Sequence, residues 1–491
     1  MRRFWILTCA LLLAGYNLAF AHDDDELFKT VVIKDGTNLS VLDCVATAFR
    51  NSPKIKRKKY YLDIAKSNVG IAKAQYFPVI GAGVGYYNEN NSDSIYYNNH
   101  YRELPNVGVS VNKMVWDFGK TTANIRMEEF YKLGAEYEFM DSLCSTLFDV
   151  KEKYYNLLKA QALLKIAEND LEINKNILKF SKKEPDLITA KVNLNKAEVE
   201  LLNANNNFLN AKIDLTNSMY LNSQPNYRIE NTKTFNFNND YSLQTTTEAQ
   251  NFEEYQFKFS RDKAVQMAYD NSPDLQVLIS TKNAMEQSLI YIKRTYFPEL
   301  SANAGYGFNN TNQASNNSFK VGVNLNSSVN LMELKHSIRG ADAQVKLADN
   351  EITLFKKDLY FEVKRAFNNY DKSKMKIPVA QLEAKQALAN YKLVESKYKS
   401  GELNYIALQD ARKDYIQAVE NYVNSLYDYN IALIQVEMAM HYHLVDIHHK
   451  TEHAMCYHSE ELINHLNEVL GCDEKEVKRF KRKKNNIDED L

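Results

Sequence analysis

Two kinds of hydrophobic periodicity alternate along this chain, and each occurs twice. From residue 79, Ile80, Ala82, Val84 and Tyr86 alternate with Gly81, Gly83 and Gly85. From residue 299, Leu300, Ala302, Ala304, Tyr306 and Phe308 alternate with Ser301, Asn303, Gly305, Gly307 and Asn309. Each run has a return: Val107, Val109 and Val111 between Gly108, Ser110 and Asn112, then Val321, Val323 and Leu325 between Gly322, Asn324 and Asn326. A period of two predicts strands with one apolar face and one polar or small face. Two hairpins are therefore expected, at about 79–115 and 299–328. The Asn- and Ser-rich stretches Asn88 to Arg102 and Asn309 to Ser318 are expected as exposed rim loops.

The other periodicity is helical. From Thr121 to about Phe180 there is no proline and one glycine, Gly134. Sixty helical residues reach about 90 Å. Leu143, Leu147, Val150, Tyr154 and Leu157 recur at spacings of four and three, a coiled-coil seam. Ala190, Leu194, Ala197, Leu201, Ala204, Phe208, Ala211 and Leu215 keep the same rhythm. So do Ala411, Tyr415, Ala418, Tyr422, Ser425, Tyr429, Ala432 and Val436, each 221 residues later. A second apolar set, Val192, Val199, Leu202, Leu209 and Ile213, flanks the first of these seams. A helix with two seams packs on two neighbours, as in a tube wall. Reversals are expected at Lys182 to Leu187 and Lys399 to Asn404, where Pro185 opens one helix and Gly401 ends another. Pro378, inside the second long helix, should bend or break it.

These elements form a tandem repeat. Asn51-Ser52-Pro53 returns as Asn271-Ser272-Pro273, and Tyr76-Phe77-Pro78 as Tyr296-Phe297-Pro298, both at an offset of 220. We divide the chain into a leader (1–21), a first repeat (22–240), a second repeat (241–443) and a tail (444–491).

Composition narrows the class. Glycine (15) and proline (8) are scarce among 491 residues, which favours long helices. A net charge of −1 gives no argument for a nucleic-acid partner. Arg2 and Arg3, the apolar stretch from Phe4 to Ala14, and Ala19-Phe20-Ala21 before an acidic run read as a secretory signal cleaved after Ala21. Beyond it no apolar run reaches 18 residues, so a membrane-spanning form must be a closed β-barrel. Four strands cannot close a barrel, since about eight is the smallest that does. The strands of two or more chains must be pooled.

No carboxylate pair, nucleophile motif or glycine-rich phosphate loop marks an enzyme, and no cofactor is expected. Cys44 and Cys144 fall in predicted helices as buried side chains; whether Cys456 and Cys472 pair stays open. Seven of the ten histidines lie between His441 and His465. His449 and His453 have a spacing that suits a soft divalent metal on a helix, but no Cys-x-x-Cys pair accompanies them. We read this segment as a polar tail without a metal. The basic run Lys478 to Lys484 is likewise a solvated tail on an exported protein.

The chain resembles the TolC-like outer membrane efflux protein family over roughly residues 38 to 440. The resemblance rests on the repeated Asn-Ser-Pro and Tyr-Phe-Pro, on Val115-Trp116-Asp117-Phe118-Gly119-Lys120, and on Tyr398-Lys399-Ser400-Gly401-Glu402-Leu403 with Ala407-Leu408-Gln409-Asp410-Ala411. It implies a mixed α/β membrane protein, a homotrimer whose twelve strands form one outer-membrane barrel continued by a long α-helical coiled-coil barrel across the periplasm. It implies no catalysis. The expected role is the exit duct of a tripartite export system, with a periplasmic adaptor protein and an inner-membrane ABC or proton-driven transporter as partners, besides outer membrane lipid. Drugs, small molecules and polypeptides are the family's cargo.

The resemblance also places a gate at the inner end. Tyr398 matches a latch tyrosine and Asp410 a ring aspartate, with Asp186 of the first tip as a further contributor. Ala407 and Leu403 replace a second ring aspartate and a latch arginine, from which weaker cation binding and looser closure are expected. Gly401, Glu402, Leu403 and Leu187 are the expected adaptor-docking tips. The second hairpin exits through Asn330-Leu331-Met332-Glu333 instead of Trp-Asp-Phe-Gly, so the two should leave the membrane differently. The rival reading is a barrel-anchored trimeric coiled-coil adhesin or stalk. It predicts strands near one end of the chain only, whereas here they interrupt both halves.

Overall fold

The structure, a computed structural model, describes residues 31–90, 101–181, 184–229, 257, 259–311 and 314–441. The leader, the possible Cys456–Cys472 pair and the histidine-rich and basic tail lie outside the described residues.

In chain order the elements are β1 (Asn38–Leu39), α1 (Val41–Asn51), α2 (Pro53–Ala74), β2 (Val79–Asn90), β3 (Tyr101–Trp116), α3 (Lys120–Phe180), α4 (Glu184–Ser218) and β4 (Arg228–Ile229). The second repeat supplies α5 (Arg261–Asn271), α6 (Pro273–Arg294), β5 (Glu299–Thr311), β6 (Ala314–Asn326), α7 (Leu331–Lys399) and α8 (Tyr405–Met440).

The repeated motifs have repeated geometry. Ser52 ends α1 and starts α2 at φ −65° and ψ 115°; Ser272 does the same between α5 and α6 at −64° and 113°. Each hydroxyl accepts the backbone N–H three residues on, at 3.3 Å, and each proline takes the first turn, where no donor is needed. Two helices thus meet at one capped corner in both copies.

The four long strands form one antiparallel sheet in the order β2-β3-β5-β6. Register joins the apolar positions into continuous rows: Ala82 faces Val109, Val109 faces Tyr306, and Tyr306 faces Phe319. From Leu300 to Phe308 the apolar row covers nine residues, the span of a tilted membrane strand. Lys113 falls on this face at its base, near Trp116.

The strands outrun the alternation. The second segment expected as a loop is largely paired, with Thr311 still facing Ala314, and at the first the described ends pair as far as β2 Asn90 and β3 Tyr101. Backbone ladders are indifferent to side-chain polarity, so a hairpin keeps pairing after the apolar alternation stops.

Below the sheet, α3 runs 61 residues and α7 runs 69. α7 is continuous through Pro378, so the proline does not break it. The proline is exposed, so the carbonyl it leaves without a helical partner can be hydrated. The helices lie side by side in two tiers. Near the sheet the order is α2-α3-α6-α7; beyond it, toward the tips, it is α4-α3-α8-α7. The helices α1 and α5 and the parallel β1–β4 pair sit at the junction between tiers, where α1 packs on α3 and α5 on α7 and α8. Cys44 and Cys144 are buried there, and burial pushes the Cys44 thiol up to about 12, an unreactive side chain.

The protomer is therefore a stave with two open edges. One is β2, α2 and α4, all from the first repeat; the other is β6 and α7, both from the second. Both edges carry exposed apolar rows: Tyr60, Ile64 and Ile71 on α2, Val199 and Leu202 on α4, and Leu347, Leu354, Phe361, Met375 and Leu382 at multiples of seven on α7.

Candidate functional site

Two ends of the stave carry chemistry: the neck where strands become helices, and the tips where helices reverse.

At the neck, Phe118 (φ 55°) and Gly119 (φ 82°) turn the chain from β3 into α3. Asp117, buried, holds this turn: its carboxylate accepts from the Gly119 N–H at 3.0 Å and from the Thr121 N–H, capping α3. Arg294, at the end of α6, donates from Nη1 to the Gly119 carbonyl at 2.6 Å. A Cβ on residue 119 would stand 2.6 Å from that nitrogen, so glycine answers both the backbone and the arginine. The second hairpin lacks this turn; Asn330 instead caps α7 directly, accepting from Met332 and Glu333. Around the neck Trp116, Phe77, Tyr296 and Phe297 are exposed, and Phe118 stacks on Phe297 at 5.1 Å. An exposed aromatic belt at the base of an apolar strand band marks a membrane interface.

At the tips, α3 ends at Phe180 and α4 begins at Glu184, while α7 ends at Lys399 and α8 begins at Tyr405. Gly401 (φ 86°) makes the second reversal; Asn404 caps α8 by accepting from the Ala407 N–H at 3.0 Å. The two tips touch. Tyr398 Oη lies 3.5 Å from Ser181 Oγ, and the Lys399 ammonium stands over the Phe180 ring at 4.8 Å. Tyr398 also packs edge-on to Tyr405 at 6.1 Å.

The other predicted tip residues are placed differently. Asp186, Leu187 and Leu403 are half-buried, and Gly401 and Glu402 are exposed. Asp410 is exposed on α8 without a bonded partner among the described residues. The bonded charge lies two residues on. Arg412 pairs with Asp170 of α3, both side chains about one-seventh exposed (14% and 13%). Its Nε donates to Gln409 at 3.1 Å; Gln409 donates to the Tyr405 hydroxyl at 2.7 Å, which accepts from Asn193 of α4 at 3.2 Å. Asn174 donates to Asp170 from the other side. One polar chain thus ties α4, α8 and α3 together, linking the two helical hairpins above their tips. Behind it, Tyr391 and Tyr415 stack at 5.6 Å. Burial, then the carboxylates of Asp170 and Glu200, pushes Glu420 above the usual carboxylate range.

A signal for this network exists in the sequence. Tyr405, Leu408, Arg412, Tyr415, Val419, Tyr422 and Leu426 keep a three–four rhythm, and all but Arg412 are uncharged and buried. A charge on a buried seam needs a partner.

Comparison with known proteins agrees with this geometry. The sequence matches the outer membrane efflux protein family over residues 45–219 and 264–440, one match per repeat. The chain belongs to that family, and its place is the outer membrane, extending into the periplasm. The solved structure of the outer-membrane channel OprN is similar, with a TM-score of 0.69, 14% identity, and coverage of 82% of this chain and 89% of that one. The CmeC outer membrane channel of Campylobacter jejuni (TM-score 0.68, 15% identity, 84% and 91%) and the outer membrane protein VceC of Vibrio cholerae (0.67, 14%, 82% and 95%) share the fold. A comparison with curated protein sequences gives no match. The family is one of channels rather than enzymes.

Proposed function

We propose that this protein is the outer-membrane exit duct of a tripartite efflux system, working as a homotrimer. The observation that carries this reading is the pair of open edges. The first-repeat edge (β2, α2, α4) and the second-repeat edge (β6, α7) differ from each other, so copies join head to tail and close a ring. β2 and β6 run in opposite directions, so they can extend the antiparallel order across each junction. Two copies give the eight strands that a barrel minimally needs, and three give twelve, the closure implied by the family resemblance.

In such a ring the apolar strand face meets lipid, the polar face lines the pore, and the helices continue the wall into the periplasm. The tips form the inner mouth. Gly401, Glu402, Leu403 and Leu187 dock a periplasmic adaptor, through which an inner-membrane ABC or proton-driven transporter delivers drugs, small molecules or polypeptides. Tyr398, Asp186 and Asp410 stand at the gate. The Arg412–Asp170 link holds the two hairpins of each protomer together above it, so opening the mouth requires that link to break.

Single-channel recording of the detergent-extracted protein in a planar lipid bilayer tests the reading. The wild type should give small, discrete openings. Arg412→Ala leaves Asp170 without its cation, at a cost of about 2 kcal/mol for a partly buried pair, and should open more often with severalfold larger conductance. A folded, membrane-inserted oligomer that conducts in neither form would overturn the duct and favour a closed anchor.

A further inference from the structure

Over the stretch with placed side chains (79–85, 107–114, 299–308 and 318–326), the face of the sheet opposite the apolar rows is built mostly from small, uncharged residues. Above Val79 and Met114 at its base, β2 and β3 contribute Gly81, Gly83, Gly85, Gly108, Ser110 and Asn112 to it. Among the described residues with placed side chains, this face carries two charges, Glu299 and Lys320. Glu299 stands at the base of β5, paired in register with Asn326. Lys320 stands six residues further up β6, opposite Gly305 and between Ser318 and Gly322. It is exposed and has no hydrogen-bond or ion-pair partner among the described residues. Its chain neighbours Phe319 and Val321 point the other way, 72% and 69% exposed on the apolar face, so the ammonium sits at lipid height.

We propose that Lys320 is the charge-selecting residue of the exit pore, favouring anionic solutes over cations on their way out. The inference rests on the duct reading above and deepens it. In a closed ring every copy contributes one Lys320, and the edge strand that meets β6 presents the Gly81-Gly83-Gly85 row, which offers no side chain to neutralise it. Like charges in a passage with low-dielectric walls focus their field on the solution inside. Six strand residues separate Glu299 from Lys320, about 20 Å. That exceeds twice the Debye length of about 8 Å at physiological salt, so the acidic base does not cancel the basic ring.

The test is the cation-to-anion permeability ratio, read from reversal potentials of the full-length protein in a planar bilayer under a potassium chloride gradient. Lys320→Gln should raise the ratio about threefold, the factor given by roughly one unit of thermal energy, and Lys320→Glu about tenfold. Both changes should fade toward 1 M salt, where the Debye length is about 3 Å. Should these variants not assemble, Lys320→Cys can be read before and after attachment of a cationic or an anionic thiol reagent, the two reagents driving the ratio in opposite directions. Conducting channels whose ratio stays the same in all three variants would overturn the inference and leave the duct standing. A wild-type oligomer that inserts but does not conduct would remove the duct, and the inference with it.

Discussion

The two return helices carry the same small–large rhythm at an offset of 221 residues, yet one buries a single face and the other buries two. In α4, Ala190, Ala197 and Leu215 are buried against α3, while Leu202, Leu209 and Ile213 on the flanking row are 62%, 41% and 47% exposed. Their counterparts in α8, Val423, Asn430 and Ile434, are all buried. The difference lies in neighbours: α8 packs on α7, α3 and α5, and α4 packs chiefly on α3. Duplication supplied both helices with two faces, but the chain supplies a second partner to only one of them. The open row of α4, Val192-Asn195-Val199-Leu202-Asn206-Leu209-Ile213, keeps an unbroken three–four spacing. Its two asparagines are the kind of polar seam residue that fixes register between helices.

The strongest way to break this comparison is to charge matching positions. Val199→Asp with Leu202→Asp should abolish the oligomer and leave the protomer helical, as read by light scattering and circular dichroism in detergent. Each aliphatic side chain buried at the junction contributes about 1.5–3 kcal/mol, and burying a carboxylate there costs more. Val423→Asp, one offset away from Leu202, should instead prevent folding, because its neighbours lie in the same chain. An α4 variant that still assembles would mean that the open row faces water.

The next test concerns how α8 holds its second neighbour. Lys151 of α3 and Glu437 of α8 form an ion pair with side chains 10% and 3% exposed. At the matching place in α4 stands Thr216, whose hydroxyl donates to the Lys212 carbonyl of its own helix at 2.7 Å. The second repeat thus spends a buried salt bridge where the first has a local bond. Lys151→Met should cost about 3–5 kcal/mol by taking the ammonium away from a buried carboxylate, and adding Glu437→Leu should recover most of it, in urea unfolding of the detergent-solubilised protein. Equal losses in the single and double variants would show that packing, not the charge pair, joins the helices.

Much of this was legible in advance because it is periodic. Alternation at 79–86 and 299–308 set the faces of the sheet, and the 220-residue offset located corners and necks in both copies. The rest is not periodic. Nothing in the alternation says that pairing continues to Asn90 or Thr311, since a ladder outlives its apolar face. Pro378 reads as a bend or break, but the proline is exposed and the surrounding seam carries the helix through without a break. At the tips, resemblance directed attention to Asp410, whereas the bonded charge is Arg412. Its partner Asp170 is 242 residues away, and no local pattern announces such a pairing.

The smallest expected effect sharpens the comparison at the start of each repeat. Immediately after the shared Ser-Pro corner the first copy has Lys54 and the second Asp274, and Asp141 of α3 feels both. Its carboxyl is pushed up to about 6, first by burial and then by Asp274, against the lowering effect of Lys54 and Lys58; Glu138 adds to the rise. An unfolded aspartate titrates near 3.9, so between about pH 4 and 6 the folded chain holds the extra proton. Stability from this group is therefore greatest below pH 4, falls as pH rises toward 6, and stays low above it. Asp141→Asn removes the ionisation and should stabilise the protein by about 1–2 kcal/mol at pH 7.5, with the gain vanishing near pH 4. Asp274→Asn should bring the Asp141 carboxyl down and give part of the same gain, while Lys54→Gln should push it further up. If thermal stability of Asp141→Asn exceeds wild type equally at pH 4 and 7.5, the two copies do not meet electrostatically at this residue.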